Sequence, residues 1–144
     1  MNTEPILGHA EVLAALDAIR AELARRGQSA VIAVADSHGE LIALLRLDGA
    51  PVSSVAVATN KAFTAARLRR STREQGARLR ERGVDIAFYG DPRYVGFGGG
   101  LPIRIDGVVA GAIAVSGLSE EEDEALAAIG ETVITSAGAG SKST

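Results

Sequence analysis

Lys61, Arg46, Tyr94 and the run Gly98-Gly99-Gly100 are the residues whose types and spacing suit chemistry on a small anionic or carbonyl-bearing molecule. Lys61 sits in an alanine-rich stretch, four residues after Val57 and four before Ala65, so at helical spacing it falls on or beside a packed face. A partly buried lysine suits an anionic group, and it equally suits a structural ion pair with Asp48 or Asp123. Arg46 and Asp48 close an apolar run, where strand ends line pockets; Asp48 before Gly49 also reads as a plain turn residue. Three consecutive glycines leave a backbone that a ligand or another segment can approach closely. Their N–H groups would suit an oxyanion, and Tyr89, Tyr94 or Asp123 would move a proton. In this scheme the catalytic candidates are Lys61, Tyr94 and Asp123, acting without a cofactor on an organic acid or similar metabolite. No nucleophile–base pair or metal cluster is legible, so the sequence names no reaction class.

The elements that must position these residues follow from periodicity and punctuation. Apolar positions Val12, Leu13, Leu16, Ile19 and Leu23 recur at helical spacing over 9–26, and Gly27 ends that helix. Residues 29–35 and 40–47 read as two apolar strands joined by the turn Asp36-Ser37-His38-Gly39. Ser53 or Ser54 caps a small-residue helix through Leu68, and Ser71-Thr72 caps a second piece over 73–82 that Gly83 closes. Four of the five Phe and Tyr residues crowd into 84–97, where Asp91-Pro92 breaks regular structure. Pro102 opens an extended segment after the glycines, and Asp106-Gly107 between apolar runs predicts a hairpin. The returning run 108–115 is apolar throughout, as in a strand buried on both faces. Ser119 caps a helix that is acidic in its first turn. The order predicts an α+β domain over 9–137 with a mostly antiparallel sheet, a loose lead-in at 1–8 and a disordered tail at 138–144.

Composition narrows the function classes. The 144 residues are 47% hydrophobic but only 3% aromatic, so aliphatic side chains and alanine must build one core. A net charge of -3 gives no general pull toward nucleic acid or anionic membrane. The basic run at 67–82 has no interleaved aromatics and reads as a solvated face. With no cysteine, disulfides, thiolate metal sites and cysteine nucleophiles are excluded. No signal peptide or membrane span is legible, which predicts a soluble cytoplasmic protein.

An ordered series of motifs resembles one known family. It runs Val34-Ala35-Asp36-x-x-Gly39, Arg46-Leu47-Asp48-Gly49-Ala50, Asn60-Lys61-Ala62-Phe63-Thr64-Ala65-Ala66 and Ser71-Thr72. It continues through Gly98-Gly99-Gly100-Leu101-Pro102-Ile103, Asp106-Gly107, Gly111-Ala112-Ile113-Ala114-Val115-Ser116-Gly117 and Asp123-Glu124. Over roughly residues 10–130 the chain is similar to the small haem-binding and so-called haem-degrading proteins related to GlcG and HbpS. That family also occurs as the C-terminal domain of PduO-type proteins. The resemblance implies a profilin-like layered fold around a five-stranded antiparallel sheet, and assembly as a homo-oligomer, dimer or larger. It implies haem or a related tetrapyrrole as ligand. The ligand-binding candidates on the matched motifs are Arg46, Asp48, Lys61, Thr64, Gly98, Gly99, Gly100 and Pro102. Haem iron takes His, Met, Cys or Tyr, which leaves His9, His38, Tyr89 and Tyr94; some relatives use an N-terminal helix histidine, to which His9 is the nearest match. Ala114, where many members carry glycine, and the insert Asp91-Pro92-Arg93-Tyr94 depart from the family pattern.

Overall fold

Glycines and short polar side chains end the elements where the sequence predicts. The computed structural model describes residues 5–141, with side chains through residue 137. The order is α1 (His9–Arg26), β1 (Val31–Asp36), β2 (Leu41–Arg46), α2 (Ser54–Leu68), α3 (Thr72–Arg82), a 3₁₀ turn (Ile86–Tyr89), β3 (Gly100–Ile105), β4 (Val108–Ser116) and α4 (Glu120–Ser141). Gly27 and Gly83 close α1 and α3 in left-handed conformation. The Ser71 hydroxyl accepts from the Glu74 N–H, and Ser119 and Glu122 form a reciprocal capping box at α4. Ser53 stands at the α2 N-cap without a side-chain bond, so neither expected serine caps α2 through its hydroxyl. Asp106 and Gly107 take φ 58° and 76°, the paired positive values of a type I′ hairpin turn.

The strands make one antiparallel sheet in the order β2-β1-β4-β3. The five strands expected from the resemblance are thus four among the described residues. The segment between α3 and β3 does not pair: Asp85 caps a 3₁₀ turn, Gly90 closes it at φ 79°, and Pro92 has no N–H for a ladder. Two other boundaries move. Leu7 is buried in the core, so the loose lead-in does not extend to residue 8. Helix α4 continues through Ser141, so residues 138–141 of the tail expected to be disordered belong to the helix; residues 1–4 and 142–144 lie outside the described residues.

Helices cover both sheet faces, in three layers. On one face Ile32, Val34, Ile113 and Val115 pack with Val12, Leu16, Ile19 and Leu23 of α1 and Leu126 and Ile134 of α4. On the other, Val31, Ala33, Ala35 and Ala114 meet Ala58 and Ala62 of α2. Methyl-sized contacts on that side bring α2 close to the sheet, which is why Lys61 reaches a strand carbonyl.

Candidate functional site

Helix α2 is covered on more than one side: Lys61, Ala62, Phe63, Thr64, Ala65 and Ala66 are all buried. The sheet covers one flank, and the irregular segment 91–99 crosses another as a strap. Thr64 fastens that strap. Its hydroxyl accepts from the Val95 N–H at 3.0 Å and donates to the Arg93 carbonyl at 3.2 Å. The Phe63 ring meets Tyr94 at 5.0 Å, and Tyr94 meets Tyr89 at 5.3 Å. The Arg93 and Arg67 guanidinium carbons lie 4.0 and 4.6 Å from the Phe63 ring centre. Beside the strap, Ile86, Ala87, Gly90, Asp91, Pro92 and Tyr94 line a cleft of about 400 Å³. Asp91 is held below the ordinary carboxyl range, chiefly by its side-chain hydrogen bond from Arg93.

Beyond the strap, the glycine run folds onto a buried ion pair. Lys61 Nζ donates to Asp123 Oδ2 at 3.1 Å and to the Val115 carbonyl at 3.0 Å, with both charged side chains 3% exposed. Burial raises the Asp123 pKa, opposed by the Lys61 charge and hydrogen bond and by backbone N–H groups including that of Leu118. Gly99 lies against this pair at φ 131°. A methyl there would stand 2.7 Å from Lys61 Nζ and from the Val115 oxygen. The neighbouring amides are already engaged: Gly98 N–H donates to Glu120 at 2.6 Å and Gly100 N–H to the Thr72 hydroxyl at 2.9 Å. The space above Gly99 is therefore filled by the protein's own lysine, and two of the three amides expected to face an oxyanion serve internal acceptors.

The remaining candidates lie elsewhere. Arg46 ends the outer strand β2 opposite Val31 and is exposed, and Asp48 is an exposed turn residue whose carbonyl accepts from Ser29. Pro102 is buried in β3 opposite Ala112. His9 is exposed at the first position of α1. His38, in the β1–β2 turn, borders a second cleft of about 290 Å³ with Pro5, Ile6, Leu7, Asp36, Ser37, Ile42 and Ala110. The structure thus joins Lys61 to Asp123 and Gly99, and sets Tyr94 on the strap that Thr64 of α2 fastens. It leaves Arg46, Asp48 and His9 outside both groups. Among the described residues no cluster of His, Cys, Asp or Glu side chains could hold a metal ion by itself.

This ordered set of motifs and this topology have known counterparts. The profile of the family described as "Haem degrading protein HbpS-like" matches residues 7–131. The chain belongs to the HbpS-like family. It is 34% identical to protein GlcG of Escherichia coli K12 over 116 residues, spanning 81% of this chain and 85% of GlcG. The crystal structure of a double mutant of Streptomyces reticuli HbpS superposes with a TM-score of 0.84 at 28% identity, covering 93% of this chain and 90% of that one. The PduOC:heme complex shares the fold, with a TM-score of 0.82 at 24% identity over 90% of this chain and 96% of that one.

Sequence reasoning missed two groups of residues in this HbpS-like chain. Thr72 and Glu120 hold the glycine run, yet Thr72 read only as half of a Ser-Thr cap. A second hydroxyl where one suffices for capping was the available signal. Arg67 stands four residues after Phe63 in the predicted helix, and that spacing was the available signal for their contact; Arg93 on Phe63 gave none, because it arrives only with the strap.

Proposed function

We propose that this HbpS-like chain is a small cytoplasmic protein that binds haem or a related tetrapyrrole, with His9 as the iron ligand. Family membership and the haem complex of a protein sharing the fold support the ligand class. The observation that carries the choice of ligand is the surroundings of His9. Its imidazole has no hydrogen bond or ion pair among the described residues, and it opens α1 on the exposed side. Leu13, one helical turn on, is 61% exposed, and nearby Ile6 is 85% exposed. An apolar plate laid beside the imidazole would remove this wetted aliphatic surface from water. The residues fit an open, single-ligand site: His9 would hold the iron, and Ile6 and Leu13 would cover part of the macrocycle. Bound haem would supply ligand exchange and one-electron chemistry at the iron.

Titration with haemin tests this. A Soret band should grow to saturation in the wild type and be lost in His9→Ala, while His38→Ala keeps it and both variants retain the wild-type circular dichroism. A band that survives His9→Ala would transfer the ligand role to Tyr94 or Tyr89. No spectral change at all would overturn the haem reading in favour of an organic-acid binder without cofactor.

A further inference from the structure

Three Phe and two Tyr are all the aromatic side chains this chain has, and all five gather at the strap. Phe63 of α2 meets Tyr94, Tyr94 meets Tyr89, and Phe88 and Phe97 stand 82% and 60% exposed on the same stretch. None of these rings belongs to the clusters packed on the two sheet faces. The strap pairs with no strand, yet it is fastened at several points. Thr64 holds it by two hydrogen bonds, Phe63 by its tilted contact with Tyr94 and by the Arg93 guanidinium over its ring. Asp91 holds that guanidinium in turn, accepting from Nε and Nη2. The cleft of about 400 Å³ beside the strap therefore has a fixed wall before anything enters it, which lowers the cost of binding.

The lining selects the ligand. Tyr94, Pro92, Ile86 and Ala87 present flat and aliphatic surface to the cleft. Asp91 is the one charged side chain lining it, and Arg93 neutralises that charge at 2.9 Å. Three Arg93 donors, the backbone N–H, Nε and Nη2, fill most but not all of the carboxylate's roughly four acceptor positions. The Tyr94 hydroxyl has no hydrogen bond among the described residues. A charged ligand would shed water here with no free counter-charge to meet, whereas a neutral ring can lie on Tyr94 and give one N–H or O–H to Asp91 or the Tyr94 hydroxyl. The volume is near the lower end of the ~300–1,000 Å³ of ligand pockets, room for one or two fused rings and well short of a tetrapyrrole. The geometry points to a separate binding site in this cleft for a neutral aromatic compound of one or two rings with one hydrogen-bond donor, the chemistry of indole or a phenol. Tyr94 supplies the stacking face, and Asp91 the acceptor. This goes beyond the haem reading and does not rest on it.

Indole is the probe, and the tyrosines are the reporters. Tyr89 and Tyr94 are the only tyrosines and tryptophan is absent, so tyrosine ring signals in proton NMR of the full chain report on this cleft alone. Those signals should shift with added indole and saturate. The N-methyl derivative of indole keeps the rings and loses the donor; it should bind about fivefold more weakly, the worth of one neutral hydrogen bond. Ala87→Phe fills the cleft from an exposed position and leaves Tyr94 in place, so it should abolish the saturable shift with the circular dichroism unchanged. Saturating indole should leave the haemin titration as it was. Shifts that never saturate, that survive Ala87→Phe, or that are as strong with N-methylindole would each overturn the proposal. Competition between indole and haemin would overturn it too, by giving the cleft to the tetrapyrrole. A protein that shifts with indole and shows no Soret band keeps this site and loses the haem reading.

Discussion

Replacing Lys61 by methionine keeps much of the stem's volume and leaves the Asp123 carboxylate buried without its cation. One-sided removal of a buried ion pair costs about 3–5 kcal/mol, to be read from denaturant midpoints. Lys61→Met with Asp123→Asn should recover part of that loss, because no uncompensated charge remains. The deficit should also depend on pH. Burial raises the Asp123 pKa above its ordinary 3.8, so the folded state holds that proton more tightly than the unfolded chain. Its stabilising contribution is complete below 3.8 and is lost as pH rises through the folded value. In Lys61→Met the opposing cation is gone, so the gap from wild type should be widest near neutral pH and narrow in mild acid. A gap independent of pH would mean that Asp123 does not carry the effect. That Lys61 lies on a packed face was legible from Val57 and Ala65 at helical spacing. Which aspartate it meets was not, since only the fold brings residue 123 to residue 61 and leaves Asp48 at a distant turn.

At the scale of elements, the strap is held to α2 through one hydroxyl. Thr64→Val keeps the shape and leaves the Val95 N–H and Arg93 carbonyl without that partner, costing about 1–3 kcal/mol if both remain dry. Hydrogen exchange should quicken at residues 93–97 while the β1–β4 ladder keeps its protection; uniform acceleration would show that the strap opens only with the whole domain. The hairpin through Asp106-Gly107 and the glycine helix ends were legible because each rests on local backbone chemistry. The strap was not. Its aromatic content and its Asp-Pro break suited a loop or an irregular strand, and the choice is made by Thr64, Phe63 and Gly76, which approach from helices earlier in the chain.

For the whole molecule, the two sheet faces differ in grain. Bulky aliphatics fill the α1 and α4 side, while alanine on alanine brings α2 close. Ala114→Val adds two methyl groups to the tight side and should destabilise by about 1–3 kcal/mol through overpacking. Ile113→Val, on the opposite face, should cost about 0.5–1.5 kcal/mol through the cavity it leaves. Thermal melts of the two variants separate these effects, and an unchanged midpoint for Ala114→Val would show slack between α2 and the sheet. Composition foretold an aliphatic and alanine core, but not its partition, because which alanines oppose each other depends on strand register.

The order of manufacture adds a consequence. Strand β1 lies inside the sheet, yet one of its two neighbours, β4, is translated after both the strap and β3. Until then a nascent chain carries β1 with one flank bare and α2 with Phe63 uncovered, surfaces apt to associate wrongly. Stable structure must therefore wait for the last third of the polypeptide. A fragment truncated before the glycine run would be a client for chaperones rather than a smaller version of this protein.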